Sequence, residues 1–196
     1  MTGAPQLCLG TVQFGLPYGI TNQVGQVPEQ EVRRILDLAA ASGINLLDTA
    51  QAYGTAETVL GQCWPTHAPR RLISKLPPGV PQQRWEDTLI SSLQRLQAPK
   101  LDGFLLHRAS DLQAPDGAEL LHWLESLRDR GLVERIGVSI YEASELEALP
   151  LDRLQLVQLP LSVYDQRLIR DGTVAKLRDQ GIAVHVRSVL LQGLIL

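Results

Sequence analysis

Residues 101–139, LDGFLLHRASDLQAPDGAELLHWLESLRDRGLVERIGVS, contain the pattern that decides the fold. An apolar run over Leu101–His107 predicts a strand, and helical spacing over Glu119–Arg130 predicts a helix that ends at Gly131. A second apolar run, Arg135–Ser139, follows this helix. A helix between two such runs is typical of parallel strands joined by a crossover connection, so this stretch predicts an α/β protein.

The same alternation extends over the whole chain. Five further short runs rich in Val, Ile and Leu predict strands, at Leu7–Gly10, Asn45–Asp48, Leu72–Lys75, Leu156–Leu159 and Ala183–Arg187. The other predicted helices are Glu29–Ser42, Trp85–Leu96, Ala143–Leu149 and Gly172–Gln180. Seven strands in 196 residues allow 28 residues for each strand with its helix and loops, which fits a train of βα units.

Two of these helices show an apolar stripe that should face a core. The helix at 85–96 repeats apolar residues at three- and four-residue spacing, at Trp85, Leu89, Leu93 and Leu96. The helix at 29–42 is expected to place one apolar face inward, made of Val32, Ile35, Leu36, Leu38 and Ala39. Glycines directly after three of the helices, Gly43, Gly131 and Gly181, supply stop signals.

Parallel strands of this number fit either a closed barrel or an open doubly wound sheet. The open sheet is disfavoured because no GxGxxG follows the first strand; GTVQFG at residues 10–15 has no helix directly behind it. We therefore predict a (β/α)8 TIM-type barrel, with about seven βα units in a single domain over residues 1–196. Such barrels have about 250 residues, so an eighth unit is expected beyond Leu196 and the domain is expected to be C-terminally incomplete.

Composition and charge exclude several classes of protein. With 18 basic and 21 acidic side chains, a net charge of −3 and no basic run, the chain is not expected to bind nucleic acid. No apolar run approaches the roughly 20 residues that span a bilayer. Met1–Gly10 have no Lys or Arg ahead of an apolar stretch, so they are not expected to be a secretory signal. Two cysteines, Cys8 and Cys63, do not make a disulfide framework or a zinc site. We therefore expect a cytoplasmic protein.

Polar side chains end three consecutive predicted strands. Asp48 ends the second strand, Lys75 the third and His107 the fourth. Tyr53 follows Asp48 in the next loop. In a βα barrel the functional site lies where the strands run out into these loops, so the four side chains are expected to lie close together.

The chemistry of these four residues suits protonation of an oxygen atom. A phenol has a pKa near 10, and an adjacent ammonium favours the phenolate, so Lys75 is expected to lower the pKa of Tyr53. Asp48 would hold the ammonium in its charged form, and His107 would orient a substrate oxygen by hydrogen bonding. Because the set offers no evident nucleophile or metal ligands, the electron pair is expected from a cofactor such as a reduced nicotinamide.

Six segments, in order along the chain, resemble the aldo-keto reductase family. They are CLGTVQFG at 8–15, NLLDTAQAYG at 45–54, LISKL at 72–76, FLLH at 104–107, IGVS at 136–139 and VQLP at 157–160. The resemblance implies a (β/α)8 barrel that binds NADPH, or in some members NADH, and reduces aldehydes or ketones to alcohols. It also implies that Tyr53 is the general acid, that Asp48 and Lys75 tune it, and that His107 orients the carbonyl.

The resemblance also implies a set of cofactor contacts. It assigns Ser139 and Gln158 to the nicotinamide carboxamide, and the other implied contacts are Gly10, Thr11, Arg187 and Ser188. Two positions depart from the family pattern: Ile140 stands where many members have Asn, and Arg187 where many have an aromatic residue that stacks on the nicotinamide. A guanidinium plane can stack on a ring, and its charge would disfavour NADP+ relative to NADPH.

Three hypotheses about function remain open at this point. The first is a reductase of small aldehydes or ketones that uses NADP(H), with NAD(H) as the alternative cofactor. The second is a catalytically idle cofactor-sensing or interaction protein on the same barrel. The third is an inactive truncated reductase, because the resemblance places the grip on the cofactor's adenosine phosphate beyond Leu196. Because an open barrel exposes apolar strand edges, we expect either a longer natural chain or a homo-oligomer that covers the gap.

Overall fold

The computed structural model describes residues 6–66 and 68–195, so Leu196, the residue after which an eighth unit is expected, lies outside the described part. The strands are β1 (Cys8–Gly10), β2 (Leu46–Asp48), β3 (Arg71–Leu76), β4 (Leu101–Leu106), β5 (Val133–Ser139), β6 (Leu156–Pro160) and β7 (Ala183–Arg187). The helices are α1 (Glu29–Ala41), α2 (Ala56–Cys63), α3 (Trp85–Leu96), α4 (Gly117–Asp129), α5 (Arg167–Arg170) and α6 (Thr173–Asp179). Among these described helices, none is both long enough and apolar enough to cross a membrane.

The seven strands pair in chain order, all of them parallel. In a flat sheet, four strand spacings of about 4.8 Å would hold β2 and β6 roughly 19 Å apart. Instead, the Gln158 side chain of β6 donates a hydrogen bond to the Asp48 carboxylate of β2 at 2.8 Å. The sheet is therefore curled into a nearly closed barrel, which confirms the predicted α/β barrel architecture, with β1 and β7 as its edges.

Apolar side chains fill both sides of this curled sheet. A small cluster inside the barrel draws one residue from each of four strands, namely Leu46, Ile73, Leu105 and Leu156. A larger cluster lies between the outer face of the strands and the helices. The stripe predicted on α3 belongs to this outer cluster: Trp85, Leu89, Leu93 and Leu96 are all buried. Burial of these side chains is the main source of the barrel's stability.

The predicted elements are confirmed with small shifts at their ends, but two predictions are wrong. Leu38 was expected on the inner face of α1, and it is 69% exposed, because two positions beyond the buried Leu36 a helix has turned by about 200°. The helix predicted over 143–149 is instead a 3-10 turn at Ala143–Leu146. Pro150 disfavours helical backbone at Leu149, the residue before it, so a helix to the predicted end is not expected.

The sequence pattern missed helix α2, which carries a glycine in its interior. Glycine weakens the helical signal, but Gly61 has a packing role here. A Cβ at this position would lie 2.2 Å from the Arg95 carbonyl oxygen of α3, so the missing side chain lets the two helices approach closely.

Two glycines in strands allow a matched test of this packing. A Cβ at Gly137 of β5 would lie 1.7 Å from the Leu156 carbonyl oxygen of β6, whereas a Cβ at Gly10 of β1 would meet no atom within 4 Å. We predict that Gly137→Ala lowers the free energy of unfolding by about 2 kcal/mol, whereas Gly10→Ala changes it by less than about 1 kcal/mol. Urea denaturation followed by tryptophan fluorescence measures both, and equal effects would contradict the described β5–β6 packing.

Candidate active site

Lys75 is the centre of a polar cluster at the carboxyl ends of the strands. Its side chain is 0% exposed. The ammonium donates hydrogen bonds to Asp48 Oδ1 at 2.8 Å, to Asp48 Oδ2 at 2.9 Å and to the Thr49 carbonyl oxygen at 2.8 Å. The phenol oxygen of Tyr53 lies 3.5 Å from the same nitrogen. Four oxygen atoms thus surround a cation that has no access to solvent.

The period of a β-strand explains why these polar side chains meet. Side chains two residues apart on a strand point to the same face of the sheet. Each residue of the interior apolar cluster is followed, two positions later, by a polar residue: Asp48 after Leu46, Lys75 after Ile73, His107 after Leu105 and Gln158 after Leu156. A polar layer therefore lies directly above the apolar layer, at the open end of the barrel.

The environment of Tyr53 corrects the expectation that its pKa is lowered. Burial raises the pKa of the Tyr53 phenol, and the opposing effect of Lys75 is smaller, so the pKa lies above its ordinary value. For Lys75, burial alone would lower the pKa, but Asp48 and Tyr53 together raise it. At neutral pH the pair is therefore a protonated phenol beside an ammonium.

His107 lies next to the phenol, directly after β4. Its ring meets the Tyr53 ring edge-on, with 6.0 Å between centroids and 83° between planes. Burial, and then the charge of Lys75, lower the pKa of His107, so the imidazole is neutral at pH 7. Among the described residues, the buried Nδ1 of His107 has no hydrogen-bond partner, and neither has the buried hydroxyl of Thr49.

Ser139 and Gln158 extend the cluster along the ends of β5 and β6. Both side chains are buried, and Ser139 Oγ lies 3.5 Å from Gln158 Oε1. The amide nitrogen of Gln158 donates to Asp48, so Gln158 also supports the Lys75 ion pair.

The predicted contacts Gly10 and Thr11 lie at the end of β1, where Gly10 pairs with Asp48 of β2. The backbone nitrogen and the hydroxyl of Thr11 each donate to the Asp48 carbonyl oxygen at 3.0 Å. Thr11 is thus occupied in fixing the end of β2. Gly10 is exposed, and the space where a side chain would stand is open.

Arg187 and Ser188 lie at the end of β7, but their surroundings differ. The Arg187 guanidinium donates to the Ile140 carbonyl oxygen at 3.0 Å and lies over the Tyr141 ring, 3.9 Å from its centroid. Ser188 is exposed and has a positive φ of 62°. Arg187 is therefore held against the residues after β5, whereas no described hydrogen bond joins the Ser188 side chain to the cluster.

Two residues of this region were missed by sequence reasoning. The ring of Tyr141 contacts the Arg187 guanidinium. The only hint of this role in the sequence is that Tyr141 is an aromatic residue shortly after a predicted strand. Glu57 is a buried carboxylate bonded to Ser74, the neighbour of Lys75. Glu57 was not singled out from the sequence because the helix that carries it, α2, was not predicted.

A comparison with known families agrees with the fold. The model of the aldo/keto reductase family matches residues 6–196, which is nearly the whole chain. The chain therefore belongs to the aldo/keto reductase family.

Individual relatives are distant. An aldo-keto reductase from Mycobacterium sp. (strain JLS) is 28% identical over 183 residues, which cover 88% of this chain and 64% of that protein. Another, from Mycolicibacterium vanbaalenii, is 31% identical over 130 residues, or 63% of this chain and 46% of that protein. This chain thus spans less than two thirds of the length of these curated relatives.

Solved structures show the same fold at low identity. An aldo-keto reductase from Klebsiella pneumoniae, in complex with NADPH, superposes with a TM-score of 0.76 at 22% identity, covering 97% of this chain and 66% of that one. The holo form of an aldo-keto reductase from Bacillus halodurans gives a TM-score of 0.76 at 24% identity, covering 96% and 63%.

The Lys75–Asp48 ion pair can be tested by stability alone. Removing one partner of a buried pair leaves an uncompensated charge, so we predict that Asp48→Asn lowers the free energy of unfolding by about 3 kcal/mol. The double variant Asp48→Asn/Lys75→Met should lose less, since no buried charge is left unpaired.

Chemical denaturation at pH 7 measures these differences. Glu134→Gln, which breaks the exposed pair with Lys100, is the matched control and should leave stability nearly unchanged. A double variant less stable than Asp48→Asn would contradict the ion-pair account.

Proposed function

We propose that this chain is a reductase that converts an aldehyde or ketone to an alcohol with NADP(H), NAD(H) being the alternative. The observation that carries the proposal is the contact of 3.5 Å between the Tyr53 phenol and a fully buried, ion-paired Lys75 ammonium. This arrangement suits a proton donor whose product, a phenolate, is stabilised by an adjacent positive charge.

The residues around the cluster fit a nicotinamide cofactor. Ser139 and Gln158 offer a hydroxyl and an amide side by side, which complement the donor and acceptor atoms of a carboxamide. The space at Gly10, the residue that pairs with Asp48 across β1 and β2, is open. When bound, the cofactor would supply the hydride that reduces the carbonyl carbon. In this proposal Arg187, at the end of β7, favours the neutral reduced nicotinamide over the positively charged oxidised ring; Thr11 acts through Asp48, and Ser188 is an outer contact.

The chain's own residues would move one proton in each turnover. Tyr53 gives its phenolic proton to the carbonyl oxygen as the carbon gains the hydride, which balances the reaction to an alcohol. The phenolate left behind is stabilised by Lys75 and takes up a proton from solvent. Because burial raises the pKa of Tyr53, the phenol is fully protonated before the reaction at neutral pH.

His107 would orient the substrate rather than supply the proton. Its depressed pKa keeps the imidazole neutral, and a neutral imidazole can donate one hydrogen bond to a carbonyl oxygen. The ring lies edge-on to Tyr53, so both groups could reach the same oxygen atom.

The substrate, location and assembly expected from the sequence remain part of the proposal. The proposed substrate is a small carbonyl compound, and the proposed location is the cytoplasm. A homo-oligomer is proposed to cover the edges of the barrel. Val186 of β7, which is 38% exposed, supports the last point, because an apolar edge strand favours pairing.

Substitution of Tyr53 tests the proposed proton donor. Tyr53→Phe removes the proton donor, so kcat for the NADPH-dependent reduction of an active aldehyde should fall by about a thousandfold. The dissociation constant for NADPH, measured by nucleotide fluorescence, should stay within about twofold.

Tyr164→Phe is the matched control, because the Tyr164 side chain is 81% exposed. Substantial activity in Tyr53→Phe would rule out Tyr53 as the acid. A wild-type chain that binds NADPH but reduces none of a broad panel of aldehydes and ketones would instead favour the idle cofactor-sensing protein.

The pH dependence of reduction gives a further test of Tyr53. Tyr53 acts in its protonated form and its pKa is raised, so activity should be lost only as pH rises above the ordinary tyrosine value of about 10. His107 has a lowered pKa and stays neutral from about pH 6.5 upward. We expect kcat/KM for reduction to be flat between pH 6.5 and about 9. A decline centred near pH 8 would contradict the assignment of Tyr53.

A further inference from the structure

A buried carboxylate lies behind the Lys75 cluster and takes no part in the proposed proton transfer. Glu57, in the first turn of α2, is 1% exposed. Its Oε1 accepts hydrogen bonds from Ser74 Oγ at 2.6 Å and from Ser92 Oγ at 2.8 Å. Its Oε2 accepts from Arg95 Nε at 2.9 Å and Nη2 at 2.7 Å. Glu57 thereby joins α2 to both β3 and α3.

Ser92 of α3 also binds a second residue from the same region. Its hydroxyl oxygen accepts a hydrogen bond from Gln51 Nε2 at 2.7 Å, while the hydroxyl donates to Glu57. Gln51 donates to the Thr88 carbonyl oxygen of α3 as well. We call Gln51, Glu57 and Ser92 the Ser92 clamp.

The Ser92 clamp encloses the loop that carries Tyr53. Gln51 precedes Tyr53 by two residues and Glu57 follows it by four, so one hydroxyl on α3 holds the loop on both sides. Glu57 also accepts a hydrogen bond from Ser74, which is the residue directly before Lys75 on β3. The same carboxylate thus links the loop of the phenol to the strand of the ammonium.

Backbone packing also confines this loop. A Cβ at Gly15 would lie 1.9 Å from the Tyr53 carbonyl oxygen, and a Cβ at Gly54 would lie 2.4 Å from the Gly15 carbonyl oxygen. Side-chain hydrogen bonds and close backbone contact together leave the loop little freedom.

We propose that Gln51 and Glu57 are positioning residues, which hold the Tyr53 phenol beside the Lys75 ammonium through their shared bond to Ser92. The inference rests on the proposed function, in which Tyr53 is the acid. Burying a carboxylate is costly even when it is paired, and an apolar side chain could fill the contact between α2 and α3 without that cost. The polar network can fix the direction and the distance of the Tyr53 phenol from the Lys75 ammonium, because hydrogen bonds are directional and apolar contacts are not.

Ser92→Ala tests the proposal because it removes the atom that both tethers share. Displacing a reacting group by about 1 Å can cost a hundredfold in rate, so a loosened loop should lower kcat for aldehyde reduction at least tenfold. KM should stay within about twofold, because neither the substrate nor the cofactor touches Ser92 in the proposed site. Hydrogen–deuterium exchange in residues 49–57 should become faster.

Ser126→Ala is the matched control. Ser126 lies on α4, and its hydroxyl donates to the Trp123 carbonyl oxygen at 2.7 Å, away from the loop. This variant should leave kcat and the exchange of residues 49–57 unchanged. If Ser92→Ala does not fold, Gln51→Ala is the second variant: it removes the loop's bonds to Ser92 and to the Thr88 carbonyl oxygen and should likewise lower kcat with an unchanged KM.

The outcomes separate this inference from the proposed function. An unchanged kcat overturns the positioning role, whether or not exchange becomes faster, and so does a lowered kcat without faster exchange in the loop. A structural role alone would lower the urea midpoint of folded Ser92→Ala and leave its kcat intact. If the wild-type chain reduces no carbonyl compound, the proposed function fails, and the exchange measurement still reports whether the clamp holds the loop.

Discussion

A fully buried ammonium is the constraint on which the site depends. Lys75 could not remain charged inside the barrel without compensation, since removing an ion from water costs several kcal/mol. The Asp48 carboxylate and the Thr49 carbonyl oxygen provide that compensation with three hydrogen bonds between 2.8 and 2.9 Å. Gln158 and Thr11 in turn hold Asp48, one at its carboxylate and the other at its carbonyl oxygen. Asp48, Lys75 and Gln158 therefore have structural contacts as well as proposed chemical roles.

The fold and the site arise from the same alternation along the strands. Four apolar side chains fill one layer of the barrel interior, and the residues two positions later form the polar layer above it. The apolar layer fixes which face of each strand points inward, because a shift of one residue would turn it outward. The position of Lys75 next to Asp48 thus follows from the burial of Ile73 and Leu46.

Much of this could be predicted from the sequence, and the remainder depends on three-dimensional packing. Strand order and the polar strand ends were readable because the period of two and the chain order are local features. The direction in which the pKa of Tyr53 shifts could not be predicted, because it depends on whether the effect of burial exceeds that of the Lys75 charge. The contact of Arg187 with Tyr141 joins residues 46 positions apart, and no local pattern encodes it. Helix α2 was not predicted because Gly61 weakens its helical pattern. The packing role of Gly61 is evident only from the contact between α2 and α3.

The central claim is that the Lys75 ammonium stabilises the phenolate of Tyr53. Titration of Tyr53 by ultraviolet absorption tests it most directly, with the signal of Tyr53 isolated from those of the other three tyrosines by comparison with Tyr53→Phe. Lys75 lowers the pKa of Tyr53 against the larger effect of burial, so Lys75→Met should raise that pKa further above its wild-type value. An unchanged or lowered pKa of Tyr53 in Lys75→Met would contradict the account.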